Sequence, residues 1–243
     1  MKLLAEGARR FGLALTPAQL EQFRKYCDEL MEWNRRFNLT AIEERDQIQV
    51  KHFLDSLSLL TVWRPEGQPS VMDVGAGAGF PGLPLKIVCP QLRLTLVEAA
   101  AKKVEFLRHI IALLGLSDVI ALHERAEALG RRPPYREQYD LVVARAVAAL
   151  PELAEYTLPF ARVGGLVAAY KGPAAAQEVQ AAEFALAVLG GRLERLVRVE
   201  VPGLAEERCL VLIRKAAPTP AQYPRRPGIP HKRPLVSTAR EEG

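Results

Sequence analysis

From residue 70 onward the chain alternates short apolar runs with amphipathic stretches. Strand–helix–strand units repeated in this way build a largely parallel sheet with helices on its faces. The runs predict strands at 70–74, 93–98, 118–122, 139–144 and 165–170, with helices near 82–89, 101–114, 124–129, 150–160 and 174–189. Two further runs, 193–201 and 208–214, have no helix between them and meet through Pro202-Gly203, so they read as an antiparallel hairpin. The fold class is α/β: a mostly parallel seven-stranded sheet with a terminal antiparallel hairpin. Ligands of such sheets lie beyond the carboxyl ends of the strands, where strand order reverses.

The sheet is preceded by a small helical N-terminal region. Thr16-Pro17-Ala18-Gln19 supplies an N-cap hydroxyl, a proline at the first helical position and a glutamine that can reach back to the cap. Leu20, Phe23, Cys27, Leu30, Met31 and Phe37 then recur at helical spacing, predicting a helix over 17–37, and a second helix follows over 44–61. The expected division is 1–64 for the helical region, 65–215 for the sheet domain and 216–243 for a basic Pro/Arg-rich tail. With 49% hydrophobic and 25% charged residues in 243, one sizeable core needs no staples. Cys27, Cys89 and Cys209 are odd in number and widely spaced, which speaks against a disulfide framework and points to a reducing cytoplasm. No membrane span and no metal site is expected.

The most informative segment is Asp73-Val74-Gly75-Ala76-Gly77-Ala78-Gly79-Phe80-Pro81-Gly82. A strand runs into glycines that allow a tight turn and a close approach to a ligand, and a helix follows. Gly77-x-Gly79-x-x-Gly82 also satisfies the dinucleotide fingerprint, with Glu98 where a ribose-binding acid belongs, so a nicotinamide-dependent oxidoreductase is one alternative. Two details favour S-adenosylmethionine instead. Asp73 would repel a diphosphate but suits a ligand carrying an ammonium and a sulfonium. Phe80 and Pro81 stand where a diphosphate would need small residues and free N–H groups.

The same segment resembles the motif of the bacterial methyltransferases of the glucose-inhibited division B (RsmG) type, which methylate N7 of a guanine in 16S rRNA. Trp33-Asn34-x-x-Phe37-Asn38-Leu39-Thr40, His52-Phe53-Leu54-Asp55-Ser56-Leu57, Ala144-Arg145-Ala146-Val147-Ala148 and Lys171-Gly172 concur in order along the chain. The resemblance implies a Rossmann-like class I SAM-dependent methyltransferase fold. It also implies a cofactor site made of Gly75, Gly77, Gly79 and Phe80, then Glu98, Ala99 and Ala100, then Ala126 and Glu127, then Arg145, with Asp73 beside the loop.

Guanine N7 offers a free lone pair, so orientation can supply much of the acceleration without a general base. Arg145 is the expected catalytic side chain, gripping the cofactor's carboxylate, a phosphate or guanine O6. His52 and Asp55 read as a structural pair away from the cofactor face. Expected RNA contacts are Asn34, Arg35 and Arg36; Arg131, Arg132 and Arg136; Lys171; and Tyr223, Arg225, Arg226, Lys232 and Arg233 in the tail, which holds three of the net +5 charges. The expected partner is 16S rRNA, naked or in a partly assembled small subunit, met by a monomer. A non-catalytic RNA-binding assembly factor is the other alternative.

Overall fold

The computed structural model describes residues 1–237; Arg240, Glu241 and Glu242, counted in the tail's charge, lie outside them. The chain opens with α1 (Lys2–Arg10), which periodicity did not single out. The helix predicted over 17–37 is α2 (Pro17–Phe37), and the Thr16–Gln19 capping box forms as expected. It stops at Asn38, whose left-handed backbone turns the chain. The predicted second helix is irregular: α3 (Arg45–Gln47), a π-helical stretch Ile48–Leu54, α4 (Asp55–Leu57) and a 3-10 turn Ser58–Thr61 follow one another without a break. Wide π turns recur at functional sites because they re-aim side chains within a helix.

The sheet comprises β1 (Ser70–Val74), β2 (Arg93–Glu98), β3 (Val119–His123), β4 (Tyr139–Arg145), β5 (Ala161–Lys171), β6 (Gly191–Val199) and β7 (Arg208–Lys215). Their order is β3-β2-β1-β4-β5-β7-β6, with β7 antiparallel to both its neighbours. Between the strands lie α5 (Gly82–Val88), α6 (Ala101–Leu113), α7 (Ala126–Leu129), α8 (Leu150–Thr157) and α9 (Ala175–Val188). All seven predicted strands form; β5 starts earlier than expected, at Ala161. Chain order reverses between β1 and β4, which opens a crevice past their carboxyl ends.

Side chains of a strand alternate between faces, and each face here has its own core. Val71, Leu141 and Val143 join the cluster that holds Phe23, Leu30, Phe53 and Phe106, so the N-terminal helices bury their apolar stripes on the sheet itself. Met72, Val74, Val142 and Ala144 face the other way, onto Leu150, Leu153, Ala182 and Leu186 of α8 and α9.

The tail is docked. Pro218–Lys232 crosses α7 and α8 and ends in α10 (Ile229–Lys232). Arg136 donates to the carbonyls of Thr219 and Tyr223, and Arg131 to that of Gln222. Arg225 forks onto Glu155, which has no exposed surface, and the Gly228 N–H donates to Glu127 at 2.9 Å.

Candidate functional site

At the end of β1 the backbone folds into a loop with Gly75, Gly77 and Gly79 at positive φ. Gly75 and Ala76 donate to the carbonyl of Val97, stitching the loop to β2. The Gly77 N–H donates to Glu98 Oε2 at 2.9 Å, and the Ala100 N–H to Glu98 Oε1 at 2.8 Å, so one carboxylate joins the loops after β1 and β2. Gly79 and Phe80 donate to the Ala76 carbonyl, and Gly82 to Asp73 Oδ2 at 2.7 Å. Two carboxylates thus occupy the N–H groups that a diphosphate would need, an arrangement that disfavours the dinucleotide alternative.

A cleft of about 430 Å³ lies over this loop. Gly75, Gly77, Phe80, Glu98, Ala99, Ala126, Glu127 and Arg145 line it together. A Cβ at Gly77 would meet nothing nearer than 3.9 Å, so its backbone is open to a ligand. Three of the expected residues stand elsewhere. Asp73 is fully buried beneath the loop, because strand alternation turns it inward to the Gly82 N–H; its Oδ1 has no partner. Burial, partly offset by that N–H and by Arg145, pushes its carboxyl up to about 7. Gly79 is inside the protein: a Cβ there would come within 2.5 Å of Leu83 and of the Tyr26 hydroxyl. Ala100 acts through its N–H on Glu98 and is outside the cleft wall.

Arg145 closes β4, but its guanidinium turns back into the protein. Nη1 donates to the Lys51 carbonyl at 2.9 Å and to Asp55 Oδ2 at 2.7 Å; Nη2 lies 3.2 Å from His52 Nδ1. Its carbon Cζ sits 5.2 Å from the centroid of the Phe80 ring, and His52 stacks on the same ring at 4.4 Å. The structure therefore corrects the reading of His52 and Asp55. They do not pair with each other away from the site; the π-helical stretch brings both to Arg145. An arginine only donates, so Nδ1 of His52 accepts and Nε2 carries the proton, which it gives to Thr40 Oγ1 at 2.8 Å. Burial and the neighbouring guanidinium lower the His52 pKa to about 3, keeping the ring neutral.

A second cleft, about 720 Å³, adjoins the first and shares His52, Arg145, Ala146 and Val147 with it. Lys51, Lys171 and Arg208 line it together with Glu206, Glu178 and Asp55, the carboxylates with which they pair. Arg208 Nε stands 3.3 Å from Asp55 Oδ1, so Asp55 lies between two guanidiniums. Lys51 and Arg208 escaped sequence reasoning, since each looks like an ordinary flank of an amphipathic segment. Tyr156, on α8 and lining the first cleft, escaped it for the same reason.

Of the expected RNA contacts, several are engaged inside the protein. Asn34 is buried and accepts from the Thr40 N–H at 2.8 Å, which makes it the brace of the chain reversal after α2. Lys171 is held by Glu178 and the Ala148 carbonyl, both at 2.6 Å. Arg225 is committed to Glu155, Arg136 to the tail carbonyls, and Tyr223 packs against the core under α8. Arg132 pairs with Glu124 on the surface and Arg35 with Glu32. Arg131 is exposed but donates to the Gln222 carbonyl, and Arg36, Arg226, Lys232 and Arg233 are exposed.

A family model described as rRNA small subunit methyltransferase G matches residues 19–208. The chain belongs to this family of enzymes. Members similar to it include the Ribosomal RNA small subunit methyltransferase G of Roseiflexus sp., 52% identical over 97% of this chain and 100% of its own. That of Pelotomaculum thermopropionicum is 51% identical over 96% and 97%, and that of Bacillus cytotoxicus 46% identical over 92% and 94%. Among solved structures, a SAM dependent methyltransferase from Aquifex aeolicus superposes with a TM-score of 0.50 at 18% identity, covering 72% of this chain and 96% of that one. TrmN from Thermus thermophilus gives 0.51 at 19% identity, covering 75% and 53%. These likenesses show that the family member described here has the Rossmann-like methyltransferase fold. Among its described residues no group of three or more His, Cys, Asp and Glu could hold a metal ion, and no helix is long and apolar enough to cross a membrane.

Proposed function

We propose that this protein moves the methyl group of S-adenosylmethionine onto N7 of a guanine in 16S rRNA, with the cofactor in the first cleft and the target base entering the second. The observation that carries the reading is the shared junction of the two clefts at His52, Arg145, Ala146 and Val147. The donor set suits the cofactor: Glu98 keeps lone pairs for ribose hydroxyls, and Gly77 offers bare backbone. When bound, S-adenosylmethionine supplies an electrophilic methyl on a sulfonium. The protein's residues orient the two partners.

The junction holds no free base among the described residues. His52 spends its lone pair on Arg145 and its proton on Thr40, while Asp55 is enclosed by Arg145 and Arg208. A nucleophile that must lose a proton gains nothing here, whereas guanine N7 needs only alignment. Lys51, paired with Glu206 at 3.1 Å, and Arg208, 3.3 Å from Asp55, line the cleft where phosphates flanking a base splayed out of its strand would pass. Incubating 16S rRNA, naked and in 30S particles, with labelled cofactor and mapping the product by mass spectrometry tests the reading. One 7-methylguanosine is expected; label on another atom, or none, would overturn it.

A further inference from the structure

The hydrogen bonds around Thr40 leave its hydroxyl one use. Oγ1 accepts from the Ile42 N–H at 3.1 Å and from His52 Nε2 at 2.8 Å. Which His52 nitrogen carries the proton is fixed from the other side, because the Arg145 guanidinium opposite Nδ1 can only donate. Both acceptor positions of the hydroxyl are therefore filled, and its hydrogen remains. Thr40 lines the first cleft, and no acceptor for that hydrogen stands within the protein among the described residues. The hydroxyl is a donor toward whatever occupies the cleft.

Charge decides which part of the occupant that is. Glu98, Glu124 and Glu127, with Lys103 and Arg125, line the cleft from the ends of β2 and β3, on one side of β1, whereas Arg145 closes β4 on the other. At the other end, among the described residues, Arg145 has no facing carboxylate in the cleft, since Asp55 is only 3% exposed behind it. Ribose hydroxyls at Glu98 leave the carboxylate end of an amino-acid-bearing sulfonium to lie near Thr40. Arg145 has given three of its five N–H groups to Lys51, Asp55 and His52, both Nη1 hydrogens among them, so an anion beside it meets at most Nε and one Nη2 hydrogen and leaves room for a further donor.

We propose that Thr40 is a cofactor-binding residue whose hydroxyl donates to the carboxylate of the S-adenosylmethionine amino-acid end, with Arg145 and His52 acting as positioning residues that fix the direction of that bond. The inference rests on the reading of the first cleft as the cofactor site.

Calorimetric titration with S-adenosylmethionine and with its decarboxylated form, which keeps the sulfonium and the ammonium, tests it. Thr40→Val weakens S-adenosylmethionine by about tenfold or more, the usual worth of a hydrogen bond to a charged group, and leaves the decarboxylated ligand unchanged. Thr40→Ser, which keeps the hydroxyl, restores most of the affinity. Equal losses for both ligands in Thr40→Val would reduce Thr40 to a brace for His52 and overturn the proposal, as would undiminished binding of S-adenosylmethionine. Unchanged cofactor binding with a raised KM for RNA assigns the hydroxyl to the base and likewise overturns it. A wild-type protein that binds neither ligand overturns the cofactor-site reading itself, and is told apart from those results by failing before any substitution is made.

Discussion

Arg225 closes its guanidinium on Glu155 with Nη2 at 2.5 Å from Oε2 and Nε at 2.9 Å from Oε1, and the Arg225 N–H adds a third donor at 2.6 Å. Among the described residues no other cation pairs with Glu155 to offset its burial. Arg225→Ala should therefore cost about 3–5 kcal/mol in urea unfolding, the usual penalty for stranding a buried charge. Arg226 and Lys232 are exposed, and removing both should leave stability within about 0.5 kcal/mol. If they meet phosphates, the slope of RNA affinity against salt should fall by about 1 for each phosphate no longer neutralised.

Two glycines of one loop should fail in different ways. Gly77 at φ +60 has open space where a side chain would go, so Gly77→Val should leave a folded protein, strained by about 1–2 kcal/mol, that no longer binds cofactor. Gly79→Ala drives a methyl into Leu83 and Tyr26 and should lower the melting temperature by several degrees. Calorimetry with S-adenosylhomocysteine and a thermal melt on both variants separate the two.

Asp55 holds Arg145 in its turned-back position. Asp55→Asn should release the guanidinium and, with it, the fixed proton on His52. The expected result is a loss of methylation by at least about tenfold, accompanied by about 3 kcal/mol of lost stability. Single-turnover methylation at saturating cofactor, beside urea unfolding, reads both quantities.

The pKa of Asp73 gives a pH dependence of definite sign. Its carboxyl is raised to about 7 from an ordinary 3.8, chiefly by burial. The native state thus holds a proton that the unfolded chain has released. The resulting stabilisation is complete below the ordinary value and is lost as pH rises through the native one. Wild-type stability relative to Asp73→Asn should accordingly decline between about pH 4 and about pH 7, then level off. Urea midpoints at a series of pH values check this; a constant difference would mean that Asp73 is ionised in both states.

Period-2 and period-3.6 patterns made the sheet, its hairpin and the long capped helix readable, because these elements bury regular stripes. The lining of the first cleft was readable where it rests on backbone geometry, as at Gly75 and Gly77, or on a strand-end residue such as Glu98. It was not readable where roles depend on partners far along the chain. Nothing local marks Arg225 as the partner of Glu155 rather than of a phosphate, or Asn34 as a brace for Thr40. Residues 44–61 were read as helical, but periodicity could not reveal the widened turns that carry His52 and Asp55 to Arg145.

Those widened turns give the site an adjustable aim. A π turn holds one residue more than the regular helix, in which each residue advances the screw by about 100°. Deleting a single residue between Ile48 and His52 could be absorbed by reverting to ordinary winding, with the buried stripe downstream kept in register. His52, downstream of the deletion, would stay with that stripe on the Phe80 ring, and the displacement would fall on the turn before it, so one residue's worth of slack separates the ring from the helix that leads into it.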